Sequence, residues 1–261
     1  MKTVHTIVSS AGHNGCTRCA PGPAQIDFAF AFQPIVSVRS RRVVAHEALA
    51  RGLNGEPAAT VLNQLTSENQ YRFDQECRTR AIQSATALGM TGSLAINFIP
   101  NAVADPRACI QRMLQTARDC GFELRKIILE LTESEKVEDP EALVAIFREY
   151  RKLGIKTAID DFGAGYAGLN LLARFQPDLV KIDIALIRDI DSNHVKQAIV
   201  DGIVGMCMRL RIAVLAEGVE TVAERDYLDA LGIDLMQGFL FAPPAFKSLG
   251  NVDRHTLRPS R

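Results

Sequence analysis

From Asp27 onward the chain alternates, eight times over, between a short β-rich run and, in most intervals, a longer helical stretch. The β-rich runs fall at 28–32, 43–50, 93–98, 126–131, 156–162, 178–183, 212–217 and 233–238. Alternation of this kind specifies βα units and argues against an all-β or an all-α domain. Eight such units in 261 residues match one (β/α)8 barrel, which needs about 250. The stretch 140–154 shows the helical pattern: Val144, Ile146, Phe147 and Tyr150 form an apolar stripe and Gly154 is a stop signal. A second such stretch spans 194–211. Only about ten residues without helical pattern separate the first two runs, so the first strand is expected to join by a hairpin and run antiparallel.

The expected organisation is a Gly- and Pro-rich leader over 1–25, a barrel over 26–248, and a polar tail over 249–261 that frays. No apolar run approaches a bilayer span, and the first residues lack the continuous apolar core of a secretory signal. Lys plus Arg and Asp plus Glu balance at 30 each, so the composition gives no case for a basic footprint, and no DNA or RNA polymer is expected as a partner. A phosphate-bearing ligand must therefore be small, or be held by metals. Six cysteines, four of them scattered singly, fit a reducing cytoplasm better than a disulfide framework. Cys16 and Cys19 form a lone C-x-x-C in the leader, with no second pair to make a metal or redox site.

The polar residues carry the functional signal by their position. Glu47 lies in the second run, Asn97 in the third, Glu130 in the fourth, and Asp160 with Asp161 in the fifth. Lys181 and Asp183 lie in the sixth, Glu217 ends the seventh, and Gln237 is in the eighth. Charges inside apolar strands are costly unless paired or bound to metal. Any one of them could be an ion pair or a helix cap. Together they mark the carboxyl-end face, where barrels of this kind place their chemistry. Five carboxylates on one face need cations. An all-oxygen set without Cys or His suits Mg²⁺ or Mn²⁺. Two such ions roughly 3.5–4 Å apart make a clamp for in-line attack of water on a phosphodiester. Asp160 and Asp161 can both face the metals only where the strand ends, and Gly163 and Gly165 are expected to supply the turn. His46, beside Glu47, should face the helices as a structural histidine.

Two motifs point elsewhere. Residues 163–168 spell G-x-G-x-x-G, a dinucleotide-binding pattern, but two aspartates precede it and would repel a pyrophosphate. Asp161-Phe162-Gly163 imitates the kinase D-F-G without the loops that accompany it.

Taken together, Phe32-Gln33-Pro34-Ile35, Glu47-Ala48-Leu49 with Arg51, Asn97, Glu130-Leu131-Thr132-Glu133, Asp160-Asp161-Phe162-Gly163, Lys181-Ile182-Asp183, Glu217-Gly218-Val219-Glu220 and Gln237-Gly238 resemble the EAL domain, in its order. The resemblance implies a barrel with an antiparallel first strand that hydrolyses cyclic di-GMP, a bacterial second messenger, to linear pGpG with Mg²⁺ or Mn²⁺. It implies that Glu47, Asn97, Glu130, Asp160, Asp161 and Glu217 ligate metal. Glu47, Lys181, Asp183, Glu217 and Glu220 would serve catalysis, Lys181 by holding the attacking water or a phosphate oxygen. Gln33, Arg51, Asn97 and Gln237 would meet substrate, Arg51 at a phosphate. Family members usually form homodimers near the loop after the fifth strand. Glu133, three residues past Glu130, is expected to hold that loop by accepting its backbone N–H groups. Ala164, Ala167 and Gly168 stand where the family usually has hydroxyl residues, which concerns the ordering of the loop but removes no ligand. A non-catalytic cyclic di-GMP receptor or protein-interaction module on the same fold is the alternative, and an unidentified regulatory protein stays open as a partner.

Overall fold

The computed structural model describes residues 26–99, 106–133, 139–165 and 168–258. Seven strands run parallel in sequence order: β2 (Arg42–Arg51), β3 (Ser93–Asn97), β4 (Ile127–Thr132), β5 (Lys156–Phe162), β6 (Leu179–Ile182), β7 (Ala213–Ala216) and β8 (Leu235–Met236). The first strand, β1 (Ala29–Ser37), is antiparallel to both β2 and β8 and closes the ring. The hairpin between β1 and β2 dictates that direction, because so short a link cannot carry the chain back to start a parallel strand. A ninth strand, β9 (Ala245–Phe246), which the β-rich runs do not foretell, pairs with β1 at Ala31 and Phe32.

The helices on the outside are α1 (Ala58–Leu62), α2 (Gln70–Ala87), α3 (Pro106–Asp119), α4 (Pro140–Lys152), α5 (Gly168–Arg174), α6 (Ile184–Ile187), α7 (His194–Leu210) and α8 (Val222–Leu231). Their ends follow local chemistry. Asp139 caps α4 by accepting from the N–H groups of Glu141 and Ala142, with Pro140 at the first helical position. Thr221 and Glu224 form a reciprocal capping box on α8, and Gly232 ends it at φ 98°. Val144, Ile146, Phe147 and Tyr150 of α4 are buried, as their spacing requires.

Inside the ring, Ile35, Ala45, Ala95, Ile128, Ala158, Leu179 and Leu215 pack into an apolar plug, with Leu235 against it. A separate cluster, including Phe73, Phe98, Phe147 and Tyr150, lies between the sheet and the helices. The end of the chain is packed: Leu257 is buried and Arg225 Nη1 donates to the Thr256 carbonyl at 2.7 Å. A tail rich in polar residues is thus anchored by Leu257 and by Val252, which packs against the same cluster. Cys16 and Cys19 lie outside the described residues. Among the described residues, no helix is long and apolar enough to cross a membrane.

Candidate active site

The site is built two residues away from the apolar plug. Along a strand, residues i and i+2 share a face. Each plug residue therefore sets the direction of a polar one: Ala45 that of Glu47, Ala95 of Asn97, Ile128 of Glu130, Ala158 of Asp160, Leu179 of Lys181, Leu215 of Glu217 and Leu235 of Gln237. On antiparallel β1 the offset reverses, from Ile35 to Gln33, which pairs in register with Glu47. The result is a polar layer on an apolar floor, at the carboxyl ends of the parallel strands.

Lys181 is the centre of that layer. It is fully buried, and its Nζ lies 2.8 Å from Asp160, 2.9 Å from Glu217, 3.3 Å from Glu130 and 3.5 Å from Glu47. Burial alone would strip its proton, but Glu130, Glu217, Glu47 and Asp160 outweigh that and hold its pKa well above the ordinary ammonium value. Burial pushes the Glu130 carboxyl well above the carboxylate range; Lys181 opposes this, and the charges of Glu47, Asp160 and Glu217 add to it. Glu217 is raised in the same way, again chiefly by burial. One ammonium cannot neutralise this many carboxylates.

The donor set fits hard cations. One oxygen each from Glu47, Glu130 and Asp160 lie within 4.8 Å of one another, and the same holds for Asp160, Asp161 and Glu217. The two sets share Asp160. Glu130 Oε1 is buried without a hydrogen-bond partner, an orphan that a cation would satisfy. Asp161 joins the set through a backbone irregularity at the end of β5. Its φ is 54°, in the left-handed region, and the register with β6 shifts between Ile159 and Phe162. The turn that brings neighbouring aspartates to one face thus begins at Asp161, ahead of Gly163 at φ 99°. Burial, then Asp160 and Asp183, push the Asp161 carboxyl up to about 6.

The remaining expected residues divide. Gln237 Nε2 donates to Glu47 Oε2 at 2.8 Å and to Gln33 Oε1 at 3.1 Å, and Gln33 Nε2 donates to the Ala242 carbonyl at 3.3 Å. Both amides thereby buttress Glu47, and both also line a cavity of about 230 Å³ with Asp183, Glu217 and Glu220. Asp183 caps α6 through the Ala185 N–H at 2.8 Å. Glu220 is held by both terminal nitrogens of Arg188. Arg51 is the outlier: its Nη1 donates to the Ala50 carbonyl at 2.8 Å, and it lines neither cavity of the site. His46 points away from the layer, with Nε2 on the Leu249 carbonyl at 3.1 Å.

Glu133 spans the loop after β5. Its carboxylate accepts from Gly163 N at 2.7 Å, Gly168 N at 2.7 Å and Gly165 N at 3.2 Å. Two residues of this loop, Tyr166 and Ala167, lie outside the described set.

Several side chains at the site carry no sequence motif. Phe239, 64% exposed, and Ile184 give the first cavity an apolar wall opposite its carboxylates. A second cavity of about 500 Å³ reaches from Glu47, Asn97, Asp160 and Asp161 outward to Phe73, Asp74 and Cys77 beneath α2. Phe239 directly follows Gln237-Gly238, and an aromatic beside a motif was the one available signal. Arg188 offered none.

Comparison with known proteins places these features in a family. The EAL domain profile matches residues 22–244. A standalone EAL protein from Vibrio cholerae O395, solved with cyclic di-GMP bound, is 46% identical; the match covers 89% of this chain and 98% of that one, with a TM-score of 0.86. BlrP1 from Klebsiella pneumoniae, solved with manganese and cyclic di-GMP, is 38% identical over 90% of this chain and 59% of that one, with a TM-score of 0.81. Among curated relatives, the blue light- and temperature-regulated antirepressor BluF of Escherichia coli K12 is 34% identical over 235 residues, 90% of this chain and 58% of BluF. The cyclic di-GMP phosphodiesterase PdeR of the same strain is 37% identical over 60% of this chain and 23% of PdeR. The chain thus spans little more than half of one of these relatives and about a quarter of the other.

Proposed function

The chain belongs to the EAL domain family, and on that premise we propose that it is a metal-dependent phosphodiesterase hydrolysing cyclic di-GMP to linear pGpG. The observation that carries this reading is the pair of carboxylate sets sharing Asp160, with Lys181 between them and Glu130 Oε1 unpartnered. Glu47, Glu130 and Asp160 would hold one divalent cation; Asp160, Asp161 and Glu217 a second, with Asn97 as a further oxygen donor. When bound, Mg²⁺ or Mn²⁺ would lower the pKa of water to make the nucleophile and offset charge developing on the phosphate. Lys181, kept protonated by its carboxylates, donates Nζ–H groups toward the attacking water or a phosphate oxygen. Its charge counts for most as negative charge builds on the phosphate oxygens, because a preorganised cation at a dry site needs no reorganisation. Gln237 fixes the rotamer of Glu47, with Gln33 as its own support. Asp183 fixes the start of α6 at the rim. Glu220, tied to Arg188, walls the first cavity, and Phe239 and Ile184 offer apolar surface to a base. The same reading includes a homodimer through the loop after β5, to be tested by sedimentation.

A second reading has its own support: a cyclic di-GMP receptor or interaction module without catalysis. BluF, named an antirepressor, matches over 90% of this chain, and Ala164 and Gly168 change the loop that Glu133 holds. One experiment separates the two. Cyclic di-GMP is incubated with the protein and Mn²⁺ or Mg²⁺, and the nucleotides are analysed after separation. Linear pGpG, absent when metal is chelated, supports the phosphodiesterase. Intact nucleotide retained on the protein supports the receptor.

A further inference from the structure

Asn97 is a proposed ligand whose side chain no described residue holds. It is exposed at the end of β3, and its amide makes no hydrogen bond among the described residues. Among the described residues its direction is set by the backbone alone, and residues 100–105 beyond it lie outside them. The backbone N–H groups that follow it are therefore decisive. Phe98 N donates to the Glu130 carbonyl at 2.8 Å, which continues the register with β4. Ile99 N lies past the last strand pairing and donates to a side chain, Asp74 Oδ1 on α2, at 3.1 Å.

Asp74 has little freedom to give. It is 2% exposed, and its other oxygen is ion-paired with Arg78, one turn along the same helix. Arg78 is fully buried, donates Nε to the Asp74 carbonyl at 3.4 Å, and places its guanidinium 5.6 Å from the Phe98 ring centroid. Tyr150 from α4 adds to its electrostatic support. A buried ion pair is a poor device for stability alone, since apolar residues of similar size often do as well or better. Its geometry here does something apolar residues cannot: it presents one carboxylate oxygen, rigidly, to the N–H two residues after Asn97.

We propose that Asp74, locked by Arg78, is a positioning residue that aims Asn97 at the metal site through the Ile99 N–H. The inference rests on the reading of Asn97 as a metal ligand. It assigns the Asp74–Arg78 pair a task distinct from helix stability, although Asp74 also faces the cavity that Asn97 lines.

The test separates the lost acceptor from lost stability. Asp74→Leu combined with Arg78→Met removes the acceptor and leaves no unpaired buried charge, so melting should stay near wild type. Asp74→Asn keeps an acceptor oxygen for Ile99 N–H but leaves Arg78 unpaired, so melting should fall. Mn²⁺ binding to the nucleotide-free protein is read from loss of the free-ion signal in electron paramagnetic resonance. The double variant should bind Mn²⁺ about tenfold more weakly, the scale typical of lost second-layer support, while Asp74→Asn stays near wild type. Adding Asn97→Ala to the double variant should cost nothing further, because one interaction cannot be lost twice. Affinities that follow melting temperature instead of the acceptor, or losses that multiply with Asn97→Ala, would overturn the proposal. A wild-type protein that takes up no Mn²⁺ fails the metal reading itself, and the inference falls with it; that outcome is distinct from a wild type that binds while its variants do not differ.

Discussion

Gln237 reaches across β1 from the end of β8 to place its Nε2 2.8 Å from Glu47 Oε2 on β2. The two residues are 190 positions apart, and their bond crosses β1, the strand antiparallel to both its neighbours in the ring. The same amide nitrogen also donates to Gln33 Oε1 on the strand between them. Closure of the barrel and orientation of the first carboxylate are thus one structural event. Gln237→Leu should leave the fold intact, since it replaces a buried amide by an apolar group of similar size. It should weaken metal dependence or turnover by about 10- to 100-fold, as loss of a group orienting a ligand typically does. A metal titration of the hydrolysis rate decides it; an unchanged half-saturation and rate would leave Gln237 with no orienting role.

Lys181 is ion-paired with four carboxylates, those of Glu47, Glu130, Asp160 and Glu217, so its removal acts on the fold and on chemistry separately. In Lys181→Met, metal-free protein should melt lower than wild type, and saturating Mg²⁺ should restore much of the difference, because binding to the native state alone stabilises it. Turnover at saturating metal should nonetheless fall far more than KM rises. A raised KM at unchanged kcat would reassign Lys181 to ground-state binding of phosphate.

The Asp161 carboxyl is pushed up to about 6 by burial and by neighbouring charge, against an ordinary value of 3.8. The folded state therefore binds the proton more tightly than the unfolded chain does. For this group the contribution to stability is fully present below 3.8 and is lost as pH rises through 6. Metal-free protein should gain thermal stability between pH 7 and pH 5 from this source, and Asp161→Asn should remove that part of the slope. Mn²⁺ affinity should move the opposite way and weaken on acidification, since proton and cation compete. Melting curves and Mn²⁺ titrations across this range check both signs.

Glu133 holds three backbone N–H groups of the loop that carries Asp160 and Asp161 into α5. Glu133→Ala should loosen the loop and weaken metal or substrate affinity, read by kinetics across a metal titration. Gly168 adds a steric limit. A Cβ there would stand 2.7 Å from Phe162 Cε2 and 2.8 Å from Glu133 Oε1. Gly168→Ser, which would restore a hydroxyl at the position where the family usually has one, should therefore lower activity. Ala164→Thr is the better route to ordering the loop, and higher turnover in Gly168→Ser would contradict this account.

The C-x-x-C of Cys16 and Cys19 precedes the first described residue, Ile26. Deleting residues 1–24 should leave melting and metal-dependent hydrolysis near wild type. Loss of bound metal together with activity would assign those cysteines a role.

Much of this was readable before any coordinates, for a reason of geometry. Strand periodicity and one polar residue per run are local patterns, and they place Glu130, Asp160, Lys181 and Glu217 on one face without knowledge of the fold. Antiparallel β1 was legible because the link to β2 is too short for a helix. What stayed hidden depends on closure. The contact of Gln33 with Gln237 spans 204 residues, and nothing local marks either amide as a brace. Asp74 and Arg78 look in sequence like an ordinary i,i+4 surface pair on a helix; only their burial, and the arrival of Ile99 from a different element, gives them another meaning. Arg51 sits in a strong motif, yet its guanidinium turns back to its own strand's backbone. Motifs identify a residue's company, whereas its rotamer is decided by neighbours far along the chain.

The two-residue step between the apolar plug and the polar layer separates what maintains the barrel from what reacts within it. A substitution at Glu47 or Glu217 alters the upper tier and leaves Ala45 and Leu215 below it packed as before. Inheritance can therefore edit the reactive tier one residue at a time without first dismantling the scaffold. A lineage that lost one ligand would keep a folded barrel with its cavities and could be selected for what it holds. Retaining the reactive tier intact would then be the more demanding state, maintained only where turnover itself is under selection.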